Sequence, residues 1–152
     1  MHLSLLLLPL ALAAGLLVPP AQAQSDEAIR QYLRRDCVLN GMEVAYRGPL
    51  KGARGHVAVV MYSIENCGGG NNWFNRFGVF YKAGNRVALY PVRDVERHGA
   101  GPWEWQVNAV QVEGGRLVVS GRDFGPDDAH CCPTLQRRLS FVVQGHSVVP
   151  AP

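Results

Sequence analysis

The chain has 152 residues, 47% of them hydrophobic and 18% charged, with a net charge of +3. That length suits one domain with its own core, and so apolar a composition excludes an intrinsically disordered chain. Arginine supplies most of the positive charge, and its only doublets, Arg34-Arg35 and Arg137-Arg138, fall on a predicted helix and a predicted strand. They read as solvated faces; with no basic stripe on one face, the pattern argues against a nucleic-acid partner.

In chain order, Leu3 to Val18 is a nearly unbroken apolar run, interrupted by Ser4 and Pro9, and Ala21-Gln22-Ala23 follows with small residues at the positions signal peptidase reads. Residues 1–23 are therefore expected to be a signal peptide cleaved before Gln24, although the segment before the run carries no Lys or Arg. The run is shorter than the roughly 20 residues a membrane span needs. No second apolar span follows, and the first cysteine, Cys37, lies well beyond the cleavage point. The expectation is a periplasmic or secreted protein without stable membrane insertion: a single domain over 24–145 and a flexible, Pro-containing tail over 146–152.

Ser25 to Asp36 reads as a helix, with Ser25 or Asp26 as cap, Asp26 and Glu27 at its positive end, and Ile29, Tyr32 and Leu33 on one face. The rest of the domain reads as β. Val57 to Ile64 is apolar on both faces, which suits a central strand. Cys67 to Asn72 is a Gly-rich loop, and Trp73 to Tyr81 pairs through a Gly84-Asn85 turn with Val87 to Val92. His98 to Pro102 is a second loop. Apolar residues alternate from Trp105 to Ala109, then change phase at Val110, which predicts a bulge near 109–110. Gly114-Gly115 turns the chain into a strand around Leu117 and Val119, and Leu139, Phe141 and Val143 complete the pattern. The fold class is mainly β: an antiparallel meander of about six strands, curled or in a sandwich, with one amino-terminal helix over an edge or face.

Cys37, Cys67, Cys131 and Cys132 make an even count in an exported chain, which predicts two disulfides. Adjacent Cα atoms lie about 3.8 Å apart, below the usual disulfide range of about 4.4–6.8 Å. Pro133 also pushes Cys132 toward extended backbone, where neighbouring side chains point apart. Cys131 and Cys132 are thus expected to pair one with Cys37 and one with Cys67, in either order.

For chemistry, Asp127, Asp128 and His130 beside the cysteine doublet are the candidate metal ligands or hydrolytic residues, with Asp123 as a further oxygen donor. Zinc-type cysteine spacing and a calcium-loop pattern are both absent, and Gly125-Pro126-Asp127-Asp128 is by itself a β-turn sequence. Disulfides would consume any nucleophilic thiol, and neither a Gly-x-Ser-x-Gly elbow nor a P-loop occurs. No cofactor and no catalytic residue is assigned. Trp73, beside Asn71-Asn72, and Trp103 and Trp105, around Glu104, are candidates for a ligand surface that stacks on sugars, the alternative being burial over the end of a sheet. His56, His98 and His146 read as surface or loop residues.

The stretch Gly121 to Thr134, ending Asp128-Ala129-His130-Cys131-Cys132-Pro133-Thr134, resembles exported bacterial proteins with a D-x-x-C-C-P-[ST] signature, the LppP/LprE-type lipoproteins among them. The chain departs from that family in lacking the lipid-acceptor cysteine. The resemblance implies a bacterial envelope protein, and the expected function is a non-catalytic binding or interaction module for an envelope protein or glycan. The alternative is a small envelope hydrolase or metal-binding protein using Asp127, Asp128 and His130.

Overall fold

A computed structural model of the chain describes residues 24–65, 74–93, 106–129 and 132–152. The expected leader, both Gly-rich loops, Cys67, Trp73, Trp103, Trp105, His130 and Cys131 lie outside the described residues.

Helix α1 (Asp26–Leu33) begins as its sequence predicts, with the Ser25 hydroxyl accepting the Ala28 N–H at 3.2 Å and two acidic residues in the first turn. It ends at Leu33, short of Asp36, because the chain must reverse over a few residues to enter the first strand at Val38. Eight strands follow among the described residues, against about six expected. Strands β1 (Val38–Pro49), β2 (His56–Glu65), β3 (Phe74–Ala83) and β4 (Arg86–Tyr90) form one antiparallel sheet in chain order. Strands β5 (Gln106–Glu113), β6 (Arg116–Asp123), β7 (Leu135–Gln144) and β8 (Ser147–Pro150) form a second, again in chain order. Among the described residues no helix is long and apolar enough to cross a membrane.

The two sheets face each other across one core. Val57, Val59, Phe77 and Val79 of the first sheet meet Val107, Leu117, Val119, Phe141, Val143 and Val148 of the second. On the opposite face of the first sheet, Ile29 and Leu33 of α1 pack over Ala58, Val60, Tyr62, Ile64 and Phe80. Strand β2 therefore lies between two apolar layers, and Val57, Ala58, Val59 and Val60 are all fully buried. That is the physical reason for its continuous apolar run: at roughly 1.5–3 kcal/mol per buried large aliphatic side chain, both faces contribute.

The turns follow their sequence signals. Gly114 and Gly115 have φ of +55° and +75° and join β5 to β6 in two residues, the geometry that matches the strand twist. A register shift in β5 falls between Val107 and Ala109, one residue before the expected bulge. Two backbone clamps then join the sheets. Lys51, in the β1–β2 connection, donates its N–H to Gly115 and accepts from Val143 through its carbonyl, at 2.7 and 2.9 Å. Gly52 is required beside it, since with φ of +84° a Cβ there would lie 1.7 Å from the Val143 carbonyl oxygen. At the other clamp, Arg93 donates to the Val148 carbonyl and Val148 to that of Pro91, and Val92 and Val148 form a parallel bridge.

This second clamp corrects the expected flexible tail at 146–152. Ser147–Pro150 is a strand, and Val148 is fully buried. Pro150 does not prevent it, because a proline at the end of an edge strand forfeits no ladder hydrogen bond. Strand β1 escaped the sequence reading for another reason. Its pairing with β2 is shifted between Leu39 and Gly41 and again between Val44 and Tyr46, so no single alternation runs along it.

Candidate functional site

The stretch singled out in the sequence is the loop between β6 and β7. Asp123 and Leu135 are the last paired residues of the two strands, and Asp128 closes the loop above them. One carboxylate oxygen of Asp128 accepts the N–H of Gly125 and of Thr134, both at 2.7 Å, and the other accepts the Thr134 hydroxyl at 2.8 Å. The Gly125 N–H, followed by the Thr134 N–H and hydroxyl, holds the Asp128 carboxyl below its ordinary value of 3.8. Asp128 also donates its own N–H to the Gly125 carbonyl, closing the turn over Pro126-Asp127, and Cys132 donates to Ala129. The aspartate and threonine of the D-x-x-C-C-P-T sequence thus form the latch that ties the two ends of the loop.

The other acidic residues do not converge on Asp128. Asp127 is exposed on the turn. Asp123 is only 2% exposed; it accepts the Phe124 N–H at 2.8 Å and pairs with Arg137 at 3.3 Å. Arg137 is accordingly more than part of a solvated face, because it neutralises a buried carboxylate, whereas Arg138 makes an exposed pair with Glu113. Among the described residues no group of three His, Cys, Asp or Glu is placed to hold a metal. Cys37 and Cys132 are disulfide-bonded, and no described cysteine is a free thiol. His56 and His146 are exposed, at the start of β2 and in the β7–β8 turn.

A second feature, unread in the sequence, lies on the face of the first sheet that looks toward the second. In the register of β1, β2 and β3, Glu43, Met61 and Phe77 stand side by side, and the next row is Gly41, Ser63 and Asn75. Phe77 belongs to the inter-sheet core and Met61 packs against it. The outer row, with Glu43 and Met61, lines a groove of about 230 Å³.

Ser63 is 9% exposed, and its hydroxyl oxygen is buried with no hydrogen-bond partner among the described residues. Among the described residues no hydrogen bond or ion pair engages the Glu43 or Asn75 side chain. Gly41 completes the opening, since a Cβ built there would meet no atom within 4 Å. Tyr62, next to Ser63 on β2, turns its ring to the helix side, where burial pushes its phenol up to about 12 and keeps it neutral.

The sequence did carry a trace of this site. Ser63 is a lone small hydroxyl near the end of the apolar run Val57 to Ile64, and Gly41 is an isolated glycine inside a strand, a pattern that marks a bulge or a close approach. Comparison of the chain with protein-family models, with curated proteins and with solved structures returns no match.

Proposed function

We propose that the chain is an exported, disulfide-stabilised, non-catalytic binding module of the bacterial cell envelope, and that the Ser63 groove is where it meets its ligand. One observation carries the reading. Glu43 stands exposed in that groove with no ion-pair partner among the described residues, so its charge is open to a ligand of opposite sign.

The compartment rests on the leader-like residues 1–23 and on the resemblance of the Asp128–Thr134 stretch to LppP/LprE-type lipoproteins. An envelope protein or glycan is the partner class. In the same reading Cys131 and Cys132 pair one with Cys37 and one with Cys67, in either order, since a bond between adjacent residues would be strained. One segment then staples both.

The rival, a hydrolase or metal protein built on Asp127, Asp128 and His130, loses support at Asp128. Its carboxylate accepts three hydrogen bonds that close its own loop and lower its pKa, which makes it a poor general base. The test is retention of the tagged, processed protein on fractionated envelope, with mass spectrometry of bound proteins and glycans. The expected result is a defined component lost with Gly41→Trp, a substitution the open space at Gly41 admits. Turnover of an envelope substrate that disappears with Asp128→Asn, without retention, would replace this reading by the rival.

A further inference from the structure

We infer that the basic end of the sandwich is a second interaction surface, one that docks on a bilayer surface of anionic phospholipid. This end shares no residue with the Ser63 groove and lies beyond the binding role proposed there. In sequence the cations are scattered, but the fold gathers a set of them. The β1–β2 and β3–β4 turns lie at one end of the first sheet, and the β5–β6 and β7–β8 turns at one end of the second, because each sheet is antiparallel in chain order. The backbone bonds from Lys51 to Gly115 and Val143 make these the same end.

That end carries Lys51 and Arg54 in the first turn, Lys82 and Arg86 beside the second, and Arg116 after the third. Arg116 is half-buried and the others are exposed, and among the described residues no carboxylate pairs with any of them. Glu113 is the one acidic residue in these turns and the strand ends that flank them, and Arg138 already neutralises it. Asp26, at the start of the helix, is matched by Arg47. The opposite end is mixed, with Asp36 and Asp127 among Arg34, Arg35 and Arg122. Charge is thus polarised along the strands, and the unmatched positive end sets the sign of its partner.

The class of partner follows from what else the turns contain. Residues 51–56, 82–86, 113–116 and 144–147 include no Trp, Tyr or Phe, so nothing there stacks on a base or a sugar ring. Ala53 and Ala83 are their only apolar side chains, so contact is electrostatic, without insertion. The cations stand on separate turns of two sheets, which pack about 10 Å apart, and do not converge on one point. Such an array suits phosphates spread over a plane, as on an anionic bilayer, better than a single bound anion. Each Lys or Arg held near that surface raises partitioning about fivefold. Acting together they give measurable adsorption, although each alone is weak.

The experiment is sedimentation of the processed protein with vesicles of phosphatidylglycerol and phosphatidylcholine in equal parts, and separately with vesicles of phosphatidylcholine alone. Binding is expected only with the anionic vesicles. It should be lost when salt shortens the Debye length from about 10 Å at about 0.1 M to about 3 Å at about 1 M. Arg54→Gln, Lys82→Gln and Arg86→Gln together should weaken it about a hundredfold at fixed ionic strength. Arg34→Gln, Arg35→Gln and Arg122→Gln together remove the same charge from the other end and should change it by less than about fivefold. All six side chains are exposed, so neither triple variant opens the core. Equal binding to both kinds of vesicle, no binding to either, binding that survives high salt, or equal losses in the two triple variants would each overturn the inference. Tighter retention on an acidic polysaccharide or on duplex DNA than on the anionic vesicles would do the same. The groove is tested separately, by retention lost with Gly41→Trp, and either surface can fail while the other stands.

Discussion

The Asp128 loop and the Ser63 groove are built from the same kinds of polar group, yet they treat them in opposite ways. At the loop, one carboxylate serves two N–H groups and a hydroxyl, and the nearby Asp123 is matched by Arg137. At the groove, the buried Ser63 hydroxyl, the exposed Glu43 carboxylate and the Asn75 amide have no partner among the described residues. Polar groups satisfied from within stabilise the fold, and those left over are available to something outside it. Asp128 and Asp123, which look chemical in the sequence, hold the loop together.

Breaking the loop should have the largest effect. On the proposed pairing, Cys37→Ser leaves one cysteine of the doublet without its partner and opens a long covalent loop, so stability should fall by about 2–5 kcal/mol in urea denaturation. An unchanged midpoint would show that the staple contributes nothing.

A smaller effect is expected at Asp128, and it should depend on pH. Its carboxyl is held below the ordinary value of 3.8 when folded, so its contribution is complete above that value and is lost as pH falls through the lowered one. Melting temperature measured against pH should therefore drop more steeply on acidification in the wild type than in Asp128→Asn, and the two curves should converge at the acid end. Parallel curves would mean that the latch does not act through the charged form.

At the groove the sign should reverse. Ser63→Ala removes a buried hydroxyl that has no partner, so the variant should be more stable than the wild type by about 1 kcal/mol. A loss of stability of that size would show that the hydroxyl is satisfied, and the contrast between the two regions would fail.

Much of the fold was legible because burial leaves a period in the sequence. The helix was recoverable from its cap at Ser25 and from Ile29 and Leu33, and β2 from an apolar run too continuous for a half-exposed strand. The hairpins declared themselves at Gly84-Asn85 and Gly114-Gly115. Strand β1 hid behind its two register shifts. Strand β8 is only four residues long and is held by backbone contacts with residues 91–93, more than fifty positions away in the chain; no local pattern encodes such a contact. The Asp128 turn was legible as turn chemistry, but the role of Thr134 as the other half of its latch was not, because a six-residue hydrogen bond across a loop has no periodicity.

By itself, then, the sequence determined the class of the fold, the helix, the central strand and the main turns, since each depends on local propensity and on which side chains must leave water. Only the tertiary structure decided that the meander splits into two sheets, that the helix covers the outer face of the first, and that the tail is a strand. It alone also brought Gly41, Glu43, Met61, Ser63 and Asn75 together. Those five residues come from three strands and mean nothing in one dimension; cross-strand register makes them neighbours, and register is set by the packing of the whole sheet.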